Sequence, residues 1–137
     1  REETRKFVFR VHELPIHIDS PYFDFYSCMT DITLFTERNY LSREVTERLR
    51  SLFEEIVVIH LLPKMKPQDT IDVSISCSEL IDRITMDISF TNPDFDPERD
   101  IDEVSRAIIE HRSDSLTFAP AGEEGGTGSI EITIGKC

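Results

Sequence analysis

A chain of 137 residues with 39% apolar composition is long enough for one two-layer core and too short for two, so residues 1–137 read as a single domain. Twenty-seven acidic against fifteen basic residues give a net charge of −12, and a surface that negative repels phosphate backbones, which argues against nucleic acid as a partner. The longest apolar run, Ile56 to Pro63, is broken by His60 and falls far short of the roughly 20 residues a membrane span needs.

The amino end REETRKFVFR is charged throughout and lacks the apolar core of a signal peptide, and the first residue, Arg1, is not a methionine. The missing methionine points to a domain taken from a longer protein, whose other parts are free to include a membrane anchor. Cys28, Cys77 and Cys137 are odd in number and far apart, so they encode neither a disulfide framework nor a zinc knuckle and fit a reducing, cytoplasmic setting.

Phe7, Phe9 and Val11 alternate with Val8, Arg10 and His12, which predicts a first strand from about Lys6 to Leu14, ended by Pro15. Ser20 as a cap with Pro21 behind it starts a helix whose buried stripe is Phe25, Met29, Ile32 and Phe35 or Thr36. A second start at Ser42, with Glu44 in the first turn, opens a long helix through Val45, Leu49, Leu52, Phe53, Ile56, Val57 and His60, which must stop by Pro63. Ile71, Val73, Ile75 and Cys77, then Ile84, Met86, Ile88 and Phe90, alternate with polar residues on either side of SELIDR and read as an antiparallel hairpin. After TNPDFDPERD, the residues Ile101, Val104, Ala107 and Ile108 mark a short amphipathic helix ending near His111. Leu116 and Phe118, then Ile130, Ile132 and Ile134, form two strands around the glycine-rich turn AGEEGGTG. The expected architecture is a two-layer α/β sandwich, a mixed, mostly antiparallel sheet with helices on one face.

Three strings in this order resemble the ATP-binding domain of the GHKL superfamily, the histidine kinase-like ATPases that include anti-sigma factor serine kinases, and the resemblance covers nearly the whole chain. FEEIVVIHLL is similar to the family's N-box, with Glu55 at the position of its Glu and Ile59 where the resemblance implies a magnesium-holding Asn; an alkyl side chain offers magnesium no oxygen. ISFTNPDFDP is similar to the G1 box of the anti-sigma branch and places Phe90 where an Asp accepts the adenine amino group and Asn92 where a glycine turns the chain. In DIDEVSRAIIEHRSDSLTFAPAGEEGGTGSIEITI the lid glycines are replaced by Asp100, Ile101, Asp102 and Glu103, whose carboxylates repel a triphosphate. The nucleotide positions Glu55, Ile59, Phe90 and Asn92 are thus vestigial.

Other patterns carry weaker chemistry. Glu55 could serve as a general base if the domain is active, but it reads first as a solvated acid beside Glu54. His60 lies on an apolar stripe and reads as a core histidine bonded to a backbone carbonyl; His12, His17 and His111 have no metal-site spacing. Asp94, Asp96, Glu98, Asp100 and Asp102 alternate like a calcium loop, yet Arg99 stands where its turn glycine belongs and Ser105 where its bidentate Glu belongs, so a helix-capping acidic loop is the better account. Gly122, Gly125, Gly126 and Gly128 lack the Lys and helix of a phosphate loop.

The expectation is a non-catalytic, nucleotide-degenerate module that regulates or binds a protein partner, or pairs with itself, inside a larger bacterial signalling or transport protein, with no cofactor or metal. The aromatic group Phe7, Phe9, Tyr22 and Phe23 marks a possible pairing surface. Two alternatives stand beside it: an active ATP- and Mg-dependent anti-sigma-type serine kinase, and a small-ligand sensor using the vacated pocket at Ile59 and Phe90.

Overall fold

The computed structural model describes residues 11–121 and 126–136. Five strands and four α-helices follow in the order β1 (Val11–Ile18), α1 (Phe25–Arg38), α2 (Arg43–Phe53), β2 (Ile71–Ser78), β3 (Arg83–Phe90), α3 (Pro97–Asp100), α4 (Glu103–Arg112), β4 (Ser115–Ala119) and β5 (Gly128–Gly135). They build one sheet in the order β1-β2-β3-β5-β4, with every neighbouring pair antiparallel. The sheet is therefore not mixed as expected. A single crossover helix would return the chain parallel to β1; two helices in succession return it antiparallel.

The period-two pattern fixes which face is buried. Leu14, Ile75, Met86, Ile132 and Leu116 stand in one cross-strand row, and Ile16, Val73, Ile88, Ile130 and Phe118 in the next. Their interior members Ile75, Ile88 and Ile130 are fully buried under the helices, each contributing about 1.5–3 kcal/mol of transfer free energy. The opposite face carries Ser74, Thr85, Asp87 and Glu131, which is why it needs no second helical layer.

Five local expectations change. Pro15 does not end β1; it sits within it, opposite Ser74, which a strand at the rim of the sheet tolerates because an outward-pointing N–H has no neighbouring strand to bond, so its loss breaks no ladder bond. In β1 the even residues His12, Leu14, Ile16 and Ile18 face inward and Val11 is exposed; Phe7 and Phe9 lie outside the described residues. Helix α1 is capped by Asp24, whose carboxylate accepts from the Ser27 N–H at 3.0 Å, while Ser20 closes only a local turn with Tyr22. Its buried stripe, Cys28, Met29, Ile32, Phe35 and Thr36, is close to the one predicted.

The long helix is not uniform. Ser42 caps α2 as expected, accepting from the Val45 N–H at 3.1 Å, but from Glu54 to Leu61 the chain widens into a π-helical segment, followed by a 3₁₀ turn over Leu62–Lys64. The Leu62 N–H still reaches back to the Val57 carbonyl, and Pro63 has no N–H with which to continue. The wider turn buries Ile56, Val57 and Leu61 and leaves Ile59 half exposed. In α4 the buried residues are Ser105 and Ile109, one turn apart, and Ile101 is buried ahead of the helix, so Val104 and Ala107 face out rather than in.

Candidate functional site

The residues that the resemblance assigns to nucleotide come from two places: the π-helical segment, with Glu55 and Ile59, and the end of β3 with the loop beyond it, from Phe90 to Asp102. The structure packs these segments onto each other. Phe90 is 1% and Phe95 0% exposed, and their rings meet edge to face at 5.3 Å. Gly128 closes the other side of Phe90, because a Cβ there would lie 2.3 Å from the ring. Phe90 thus fills a core position and lines no open cleft.

Asn92 is buried and uses both ends of its amide. Its Nδ2 donates to the Lys64 carbonyl at 2.7 Å and its Oδ1 accepts from the Asp94 N–H at 2.8 Å, which ties the loop to the 3₁₀ turn. The loop acids are likewise engaged. Asp94 pairs with Lys66 at 2.6 Å, and that hydrogen bond holds the Asp94 carboxyl below its usual range. Asp100, whose side chain is nearly buried, accepts from Arg99 Nε and from the Asp96 N–H and lies 3.5 Å from Lys64; the Arg99 bond first, then its other partners, drives its pKa far below that of a free carboxyl. Asp96 caps α3, and Asp102 caps α4 through the Ser105 N–H at 2.8 Å, the bond that most lowers its pKa. Asp100 and Asp102 are therefore parts of the loop's own framework, not carboxylates standing free against a phosphate. Among the described residues, no three acids, histidines or cysteines are placed to hold a metal ion.

Glu55 is half-buried, and its backbone carbonyl accepts from His60 Nδ1 at 2.7 Å. His60 is the carbonyl-bonded histidine that the sequence predicts, and the bond fixes its tautomer, leaving Nε2 turned toward Asp102 at 3.8 Å. The other histidines scatter. His12 faces inward on β1, His111 ends α4, and His17 on the open face bonds Asp72 at 2.6 Å, which raises its pKa through the hydrogen bond and then the charge of that partner.

Of the expected aromatic group, Tyr22 is exposed while Phe23 packs edge-on against Phe53 at 6.3 Å, so the two do not form one surface. Gly122 and Gly125 lie outside the described residues. Three features were not foreseen. Gly128 as the lid on Phe90 had a signal in the sequence, a glycine entering a strand, which marks close approach. The facing carboxylates Asp87 and Glu131 on the open sheet face, and the buried Arg50 Nε on α2, which has no hydrogen-bond partner among the described residues, had none, since register and burial are set by tertiary packing. No family model matches the chain, and no curated protein matches it in sequence.

Proposed function

We propose that this chain is a nucleotide-degenerate domain of the histidine kinase-like ATPase type, acting without catalysis as a regulatory or protein-interaction module in the cytoplasmic part of a larger bacterial signalling or transport protein. The element order, a strand, two helices, a hairpin, short helices and a second hairpin, supports the fold reading. The observation that carries the functional reading is that the ring of Phe90, the amide of Asn92 and the carboxylate of Asp100 are all spent on internal partners in the region where a nucleotide would have to be held.

The decisive measurement is a calorimetric titration with Mg²⁺ and a non-hydrolysable ATP analogue. The expected outcome is no heat of binding and an unchanged melting temperature at millimolar nucleotide, because a ligand stabilises only in proportion to its occupancy of the folded state. A micromolar dissociation constant would replace this reading with the serine-kinase alternative.

A further inference from the structure

The two rims of the sheet are built differently. β1 carries Pro15 near its middle, with Glu13 and His17 to either side of it, the kind of residues that edge strands use against pairing. β4 has none of these. Its five residues, Ser115–Ala119, hold no charge and no proline, and its register against β5 runs from Ser115↔Thr133 to Ala119↔Ser129 without a bulge. Among the described residues no strand lies beyond it, so its outward N–H and C=O groups are left to bond an arriving extended chain.

The side chains at this rim are unfinished too. Leu116 and Phe118 end the two apolar rows of the inner face and are only half-buried, whereas their neighbours Ile132 and Ile130 are fully buried. Ser115, Thr117 and Ala119 face the open side and are exposed. About Thr117 the strand is self-complementary. A two-fold axis there sets Leu116 opposite Phe118 of a second copy, Ser115 opposite Ala119, and Thr117 opposite its own equivalent, so both apolar rows run on and small residues meet on the open face.

Charge favours the same contact. Two chains of net charge −12 repel, and a strand without charge is where they can pair without setting like charges side by side. Glu131, one strand in from Thr117, would lie three strand spacings or about 14 Å from its equivalent, beyond a screening length of roughly 8–10 Å. The charged groups beside the rim are engaged within the chain: Asp114 accepts from the Gly135 N–H at 2.8 Å, and Arg106 lies over the Phe118 ring and donates to the Glu98 carbonyl at 3.3 Å. The other rim-to-rim contacts, β1 with β1 and β1 with β4, both meet Pro15, so pairing closes at two chains.

We infer that β4 is the self-association edge of this domain, pairing antiparallel with β4 of a second copy about Thr117 to give one sheet with five strands from each chain. Five residues a side make a small contact, so the dimer is a weak one, with a dissociation constant on the order of 100 μM. The inference rests on the protein-interaction reading above and names its partner and its edge.

The test is sedimentation equilibrium of the whole chain up to about 1 mM, where the mass is expected to approach that of a dimer. Over the same range hydrogen exchange should slow at Ser115–Ala119 and not at Val11–Ile18. Thr117→Lys and Thr117→Glu each put like charges at the two-fold axis and should weaken association at least tenfold, while an equimolar mixture of the two associates at least as well as the parent chain. Thr117 is exposed, so both variants should melt close to the parent, and the exchange measurement needs neither of them. A monomer at about 1 mM, which leaves β4 to a foreign strand or to none, would overturn the proposal. So would protection at another element without β4, a dimer that survives both charges, or a mixture no better than either variant alone. A chain that binds ATP yet pairs through β4 loses the degenerate-site reading and keeps the edge; one that does neither loses the edge alone.

Discussion

Asp87 and Glu131 face each other across β3 and β5 on the open side of the sheet, a placement that sets two like charges side by side. Burial first, then the Glu131 charge and its hydrogen bond, push the Asp87 carboxyl up. A carboxyl whose pKa is higher folded than unfolded costs stability above that value and returns it as the pH falls toward the unfolded value. Asp87→Asn is therefore expected to stabilise the chain at pH 7 by roughly 0.2–1 kcal/mol, with a smaller gain near pH 4, where a carboxyl of raised pKa carries less charge. Urea unfolding at the two pH values reads the difference, and an equal gain at both would show that the repulsion is not the cause. Gly128 gives a second test at this scale. Gly128→Ala places a methyl 2.3 Å from the Phe90 ring and 2.9 Å from the Ala121 backbone nitrogen, and should cost about 1–3 kcal/mol. Phe90→Leu in the same chain should cost less than it does alone, since it vacates the space the methyl needs; strict additivity in the double-mutant cycle would remove the contact from the account.

Among the elements, those with a single strong period were legible and those with competing signals were not. β2 and β3 alternate without interruption, so their faces, register and hairpin follow directly from Ile71 through Phe90. The run EEIVVIHLL is apolar at too many successive positions for one 3.6-residue stripe. Which residues turned inward depended on the wider turn that Pro63 terminates, and a sequence period cannot show that. Helix α4 misled for a related reason: Val104 and Ala107 look like an inward stripe, but Ser105 and Ile109 are the pair that meets the sheet's helical layer. Capping gives the sharpest contrast. Both Ser20 and Ser42 precede a helix, and only Ser42 holds the N–H three residues on; Asp24 serves α1 instead. Ser42→Ala should cost about 1 kcal/mol in chemical denaturation and Ser20→Ala a few tenths at most. The expected site was legible as a set of residues, Glu55, Ile59, Phe90 and Asn92, but not as an arrangement, because the loop's internal hydrogen bonds join residues 28 positions apart.

At the scale of the whole molecule, the cations around the acidic loop are committed, and so are two on the sheet. Lys64 and Arg99 serve Asp100, Lys66 serves Asp94, Lys136 reaches the Ser78 carbonyl and Arg106 lies over the Phe118 ring at 5.1 Å. The proline in β1 bears on how the sheet can associate at its rim. An incoming strand that tried to extend the sheet past β1 would find no donor at the middle of the rim, so a regular backbone ladder could not propagate there. Lateral growth of a regular ladder is blocked at that margin, and β4 is the rim at which the sheet's backbone stays open to a partner strand.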